Sequence, residues 1–288
     1  MDDPHFGRRP AASERKRLDV LLVERGLFPS RARAQAAVLA GHVFIDGRRA
    51  QKAGEAVAAG AQIQVRGDPL PYAGRGGLKL AHALDAFGMD VSGRTAVDVG
   101  ASTGGFTDVL LQRGARRVYA VDVGYGQLAW RLRNDPRVVV MDRTNARRLT
   151  PGMFAEPPDL ATVDVSFISV AKILPALAAV LEPPGDVVVL VKPQFEAGRE
   201  QVGKGGIVRD RGVHLTVMLD LARAAVDQGF AVRDMTHSPV PGGSGNLEFF
   251  QWWRLAAGTA AWDAKIQEAA ERAVTAGWEL VRQGTKPE

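Results

Sequence analysis

The segment Thr95-Ala96-Val97-Asp98-Val99-Gly100-Ala101-Ser102-Thr103-Gly104-Gly105-Phe106 decides the fold class of this chain. A short apolar run carrying one acid opens into a glycine-rich loop, and residues 105–113 then read as a helix. Glycines let a backbone turn sharply and approach a ligand closely. A dinucleotide-binding loop carries Gly-x-Gly-x-x-Gly, whereas the spacing here is Gly100, then Gly104 and Gly105. Asp98, just before the loop, suits a cationic or amine-bearing ligand better than a pyrophosphate.

The same alternation continues on both sides. Strands are expected at 95–99, 117–121, 138–141, 160–163, 187–191, 230–235 and 248–252, and helices at 77–87, 105–113, 127–133, 170–181 and 213–228. Strands alternating with helices indicate a doubly wound α/β sheet with its ligand at the carboxyl ends of the strands. Two successive strands at the end, joined through Pro239 to Asn246, add an antiparallel hairpin. That addition is typical of S-adenosylmethionine methyltransferases rather than dehydrogenases. Asp122 ends the second strand, where a carboxylate can accept hydrogen bonds from both ribose hydroxyls. Asp142 closes the third, placed for an adenine amine. Each acid alone is equally well a strand-end cap. Together with Asp98 they point to an adenosyl ligand.

Four further residues stand at element ends in separate segments. Lys79 lies in the helix before the first strand, Asp164 ends the fourth strand, Lys192 ends the fifth and Glu248 begins the last. Two lysines and two acids meeting in one crevice would alternate in charge. Such a set is either structural or catalytic, and Lys192, directly after Val187-Val188-Val189-Leu190-Val191, needs a partner or a task.

The formal net charge is +5, and residues 1–75 hold 13 basic and 8 acidic side chains, so the whole excess lies in the first quarter of the chain. That asymmetry fits a basic module that binds a polyanion, attached to a neutral module; a solvated basic surface is the alternative. Within the basic part, residues 17–26 read as a short amphipathic helix ending at Gly26. Ser30 caps a second helix with Ala34, Ala37 and Val38 on its buried face, and Gly41 stops it. A strand at 42–45 runs into the Asp46-Gly47 turn, and a last strand covers 61–66. Arg31 and Arg33 stand in the first turn of the second helix, where the helix dipole disfavours cations unless an anion neutralises them.

Apolar residues make up 46% and charged residues 24% of the 288, an ordinary globular composition that excludes whole-chain disorder. There are no cysteines, which excludes disulfides, thiolate nucleophiles, iron–sulfur clusters and cysteine zinc sites. Five histidines without His-Glu-x-x-His spacing give no reason to expect a metal. No stretch has the length and apolarity of a membrane span, and residues 1–10 do not read as a signal peptide. A soluble, cytoplasmic protein is expected, a monomer or dimer without membrane or metal.

Arg17-Leu18-Asp19, Gly26-Leu27, Ser30-Arg31, Gly41-His42-Val43, Asp46-Gly47 and Lys52 resemble the small RNA-binding domain first seen in a ribosomal small-subunit protein. The remainder, about 74–255, resembles the TlyA family, close to the FtsJ-type RNA ribose methyltransferases. The motifs are Arg75-Gly76-Gly77-Leu78-Lys79-Leu80, the loop from Asp98 to Phe106, Asp164-Val165-Ser166-Phe167-Ile168-Ser169, Val191-Lys192-Pro193-Gln194-Phe195-Glu196 and Ser244-Gly245-Asn246. The resemblance implies a Rossmann-like methyltransferase sheet that uses S-adenosylmethionine to methylate a cytidine 2′-hydroxyl in ribosomal RNA. It implies a Lys79, Asp164, Lys192, Glu248 catalytic tetrad, with Lys192 as base or orienting cation. The cofactor would be held by Asp98, Gly100, Ser102, Thr103, Gly104, Gly105, Phe106, Asp122, Asp142 and Asn145. RNA would be held by Arg17, Arg31, Arg33, Arg48, Arg49 and Lys52.

The resulting organisation is a polar leader at 1–14, an α+β RNA-binding domain at 15–67, a linker at 68–76, a methyltransferase domain at 77–257 and a helical tail at 258–288. Some members of the family have an Arg-x-Trp-Val linker that couples RNA to cofactor binding. Here Pro71-Tyr72-Ala73-Gly74-Arg75 stands in its place without a tryptophan, so that coupling is not carried over. Leader and tail together favour the longer class of members, which act on both ribosomal subunits. A haemolysin-like membrane protein and a non-catalytic RNA-binding assembly factor are the rival readings. An intact tetrad opposes the second, and the absence of an amphipathic or spanning apolar segment opposes the first.

Overall fold

The computed structural model describes residues 15–28, 30–39, 41–66, 71–255 and 261–284. The expected leader at 1–14 lies outside the described residues, as do parts of the linker and tail. The chain divides into two compact units, Met1–Pro71 and Tyr72–Glu288.

The first unit runs β1 (Arg15–Arg17), α1 (Leu18–Glu24), α2 (Arg31–Leu39), β2 (Val43–Ile45), β3 (Arg48–Arg49), β4 (Ala56–Ala58) and β5 (Ile63–Val65). Strands β3-β2-β5 form an antiparallel sheet, and β1 pairs with β4. Asp46 and Gly47 have φ of 49° and 83°, the left-handed pair that a two-residue hairpin turn requires. Leu18, Leu22, Ala34, Val38 and Val43 close a small core. Arg17 ends a strand instead of starting a helix, because β4, some forty residues away, supplies its backbone partner.

The second unit runs α3 (Gly76–Ala86), β6 (Thr95–Val99), α4 (Gly105–Gln112), β7 (Arg117–Val121), α5 (Trp130–Arg133), β8 (Val138–Met141), β9 (Leu160–Val163), α6 (Leu174–Val180), β10 (Gly185–Val191), α7 (Pro193–Glu196), α8 (Arg211–Asp227), β11 (Phe230–His237), β12 (Phe249–Leu255) and α9 (Ala264–Gly284). Its seven strands are ordered β11-β12-β10-β9-β6-β7-β8, and only β12 is antiparallel to its neighbours. The doubly wound expectation holds. From β6 the chain steps outward to β7 and β8, then returns to β9 on the other side of β6. That reversal opens a crevice at the carboxyl ends of β6 and β9. The strands are apolar on both faces, as a sheet covered by helices on both sides requires.

Three segments differ from expectation. The helix expected at 127–133 shortens to α5, because Ala129 N–H donates to the Thr103 carbonyl at 3.1 Å and ties the preceding residues to the loop. The helix expected at 170–181 becomes a 3-10 turn, Val170–Lys172, followed by α6. Pro175 has no N–H for a helix interior and is tolerated only in a first turn. Third, α9 is amphipathic after all. Its apolar face, with Ile266, Ala270, Ala273 and Val274, is buried against β11 and α8. No helix among the described residues is long and apolar enough to cross a membrane.

His214 fastens α8 to this helix. Its ring is buried between Phe249 and Trp278, and Trp278 Nε1 donates to its Nδ1 at 3.1 Å. Burial lowers its pKa to about 4, against the nearby Asp210, which raises it. The unfolded chain therefore takes up this proton first as pH falls below 6.5, the ordinary value. Stability from this site is expected to be complete above pH 6.5, to fall by at most about 1.4 kcal/mol per pH unit down to about 4, and to be constant below. Urea titrations across that range check this, with His214→Phe expected to lose that part of the slope.

Candidate active site

A cavity of about 540 Å³ opens at the carboxyl ends of β6, β7 and β9. Its walls include Gly100, Ser102, Asp122, Asn145 and Asp164, with Val99, Val121, Ile168 and Ile173 as apolar surface. A smaller recess of about 130 Å³ shares Gly100, Ser102 and Asp164 and is completed by Gly74, Arg75, Thr103, Gly105 and Phe106. Gly100 is required here. Its φ is +84°, and a Cβ would lie 2.3 Å from the Asp164 carbonyl oxygen.

Asp122 faces the cavity. Its two oxygens accept the N–H groups of Ser102 at 2.8 Å and Gly124 at 2.7 Å, which fixes the carboxylate in the wall. Carboxylate oxygens each keep a further lone pair for a ligand hydroxyl. Asn145 also lines the cavity, and its side chain caps the 3-10 turn Ala146–Arg148 by accepting from Arg147 N–H.

Three residues expected at the ligand have partners of their own within the protein. Asp98 is fully buried and absent from both walls. It accepts hydrogen bonds from Thr107 Oγ1 at 2.7 Å and Thr162 Oγ1 at 3.0 Å. Burial pushes its pKa up to about 6, opposed by those bonds and assisted by the nearby Asp164 charge. Its carboxylate therefore ties the loop's flanks together through α4 and β9. Asp142 is bound by Arg133 at 2.7 Å and by Gly126 N–H at 3.2 Å, and the Arg133 guanidinium holds its carboxyl below the usual range. It braces the 124–126 turn and lies outside the cavity lining. At Gly104, φ is +95° and a Cβ would collide with Leu132 and Leu128, so this glycine serves helix packing.

The four tetrad residues form two ion pairs. Lys79 donates to Glu248 in a buried contact, and Lys192 Nζ lies 2.5 Å from Asp164 Oδ1. Lys192 also donates to Ser166 Oγ at 2.9 Å. Of the two acids, Asp164 pairs with Lys192 and Glu248 with Lys79. The helix that carries Lys79 starts beside Asp164. Gly76, at the start of the helix that carries Lys79, has its Cβ position 3.6 Å from Asp164 Oδ2.

Sequence reasoning missed Ser166 and Phe167 as site residues. Phe167 lines the cavity, is 90% exposed, has a strained φ of +65° and packs on Phe195 with ring centroids 4.9 Å apart. An aromatic residue held strained and exposed at a cavity mouth points to function. Nothing in the motif discloses its backbone angle.

The basic residues of the first unit divide. Asp19 is buried and accepts from Arg17 at 3.0 and 3.1 Å, from Arg31 at 2.9 Å and from Gln35 at 2.7 Å. The Arg17 guanidinium, with Gln35 and Arg31, holds this carboxyl well below the usual range despite burial. The anion that neutralises Arg31 at its helix start is therefore internal, and Arg17 and Arg31 have a structural partner while their side chains stay half exposed. Arg48 is paired with Glu55 at 3.1 Å. Arg49 and Lys52 are exposed, and the side chain of Arg33 lies outside the described residues.

The model of the FtsJ-like methyltransferase family matches residues 72–255, and that of the S4 domain matches 16–63. The chain is 48% identical over 266 residues to the 16S/23S rRNA (cytidine-2'-O)-methyltransferase TlyA of Mycobacterium tuberculosis, covering 92% of this chain and 99% of the relative. It is 41% identical to Hemolysin A of Brachyspira hyodysenteriae, covering 81% of this chain and 97% of that one. A solved structure bearing a haemolysin name, from Streptococcus thermophilus, superposes with a TM-score of 0.73 at 44% identity, covering 94% of this chain and 100% of its own.

Asp122→Ala is expected to weaken S-adenosylmethionine binding about tenfold or more, since a hydrogen bond to a charged acceptor contributes about 1.5–3 kcal/mol. Calorimetry reads this directly, and unchanged affinity would remove Asp122 from the site.

Proposed function

Because this chain belongs to the FtsJ-like methyltransferase family and carries an S4 domain ahead of the methyltransferase fold, we propose that it methylates a cytidine 2′-hydroxyl of ribosomal RNA with S-adenosylmethionine. The observation that carries the reading is a Lys192–Asp164 pair in the same crevice as an adenosyl-sized cavity. Pockets of about 300–1,000 Å³ suit ligands of this size. The lining fits the group: Asp122 for the ribose hydroxyls, Asn145 and the apolar walls for the purine, and the recess beside Arg75 and the start of α4 for the amino-acid end.

When bound, S-adenosylmethionine supplies an electrophilic methyl group on a sulfonium sulfur. A ribose hydroxyl is a weak nucleophile, so the protein must orient it and accept its proton. Lys192 has its ammonium against Asp164 and Ser166. Passing one proton from Nζ to Asp164 Oδ1 leaves a neutral amine able to accept the 2′-hydroxyl proton. Lys79, held by Glu248, supplies positive charge on the other side. Phe167, at the mouth, offers a ring on which an unstacked base can rest, as single-stranded RNA readers commonly use.

The RNA affinity is assigned mainly to residues 1–75, where the net positive charge lies. A ribosomal RNA substrate supports a cytoplasmic enzyme. Relatives with haemolysin names do not alter the reading, since the apolar face of α9 is covered.

Lys192→Arg keeps the charge but stays protonated at usable pH, and is expected to lose methyl transfer about 100-fold or more while S-adenosylmethionine still binds. Transfer of labelled methyl to ribosomal RNA measures this. An active arginine variant would make Lys192 an orienting cation, and an active Lys192→Ala would reject the tetrad. Separately, replacing Arg49 and Lys52 together by glutamate is expected to weaken RNA binding and flatten its salt dependence by about two in log–log slope. Affinity for S-adenosylmethionine should be unchanged, and full RNA affinity in that variant would move the interface elsewhere.

A further inference from the structure

We propose that Glu196 is a positioning residue, which holds the segment carrying Asp164 in register with the segment carrying Lys192. The inference rests on the catalytic reading of that pair. Strands β9 and β10 are hydrogen-bonded in parallel, but their pairing ends at Val163 opposite Val189. Asp164 and Lys192 both lie beyond this last pair, so the sheet does not set their separation.

What joins the two segments past that point is side-chain chemistry. Glu196 sits at the end of α7, four residues after Lys192. Its Oε1 accepts the backbone N–H of Val170, six residues after Asp164, at 2.8 Å. Val170 opens a 3-10 turn whose first N–H groups have no partner within the turn. Ser169 caps one of them, accepting from Ala171 N–H at 3.2 Å, and its side chain also hydrogen-bonds to Glu196. Glu196 therefore caps a turn that belongs to the neighbouring strand's loop. Burial raises its pKa, so the carboxylate is kept in an unfavourable place where these bonds are its compensation. Phe195, one residue earlier, packs on Phe167 across the same gap. The loop from Asp164 to Val170 is thus held at its far end by Glu196 and at its near end by the ion pair.

Reaction rates depend steeply on such placement, and a misplacement of about 1 Å can lower a rate about 100-fold. Glu196→Ala in the full-length protein is expected to lower kcat for methyl transfer to ribosomal RNA at least tenfold. KM for RNA and the calorimetric affinity for S-adenosylmethionine should stay within about twofold. Glu196→Gln keeps an oxygen for Val170 N–H and should restore kcat to within about threefold of the parent. A near-normal kcat in Glu196→Ala, or a tenfold loss in Glu196→Gln, would overturn the proposal. Should the alanine variant not fold, the glutamine variant decides alone. Lys192→Ala run in parallel separates the two ideas: if it is active, the catalytic reading fails, and if it is dead while Glu196→Ala is active, only the positioning role fails.

Discussion

Asp98 has no access to solvent, and its two oxygens accept hydrogen bonds from Thr107 on α4 and Thr162 on β9. A buried carboxylate without such partners costs several kcal/mol, so the bonds fix three elements relative to one another. They lie at the point where the chain reverses its direction across the sheet. The glycine-rich loop leaves β6 directly after Val99 and must cross Asp164 at the end of β9. Only Gly100 permits that approach, because any Cβ would strike the Asp164 carbonyl. One buried acid and one glycine thus bring the cavity wall and the Lys192–Asp164 ion pair together.

The two ion pairs of the crevice stand where the backbone ladder stops. Lys192 and Asp164 extend beyond the last paired residues of β10 and β9, and Lys79 reaches Glu248 from a helix that precedes the whole sheet. Strand ends free backbone and side chains to face a ligand, but they also leave geometry to side-chain contacts. Ser166, Glu196 and the Phe167–Phe195 contact supply it here. The strain at Phe167 persists because its neighbours on both sides are held.

In the N-terminal unit a second buried acid does comparable structural service. Asp19 gathers Arg17, Arg31 and Gln35 from β1 and α2, which lets a small core tolerate cations at a helix start. Net charge therefore includes cations that already have a carboxylate partner. Arg17, Arg31 and Arg48 have carboxylate partners inside the unit, and the exposed Arg49 and Lys52 flank the hairpin and the turn that follows it.

Much of this was legible in the sequence, because the underlying forces are local. Strand and helix order follows from apolar periodicity, and the hairpin at Asp46-Gly47 and the stop at Gly41 follow from glycine's left-handed freedom. Asp122, Asn145, Asp164 and Lys192 could be nominated because strand ends are where a doubly wound sheet presents side chains. Which way each acid faces was not legible. Asp98 and Asp122 both sit at the ends of neighbouring parallel strands, yet one points into the sheet at two threonines and the other into the cavity. Likewise the pairing of Glu248 with Lys79, of Asp19 with Arg31, and of Glu196 with Val170 joins residues 169, 12 and 26 positions apart. Contacts of that range are set by how the elements pack, so they were decided by the tertiary structure alone.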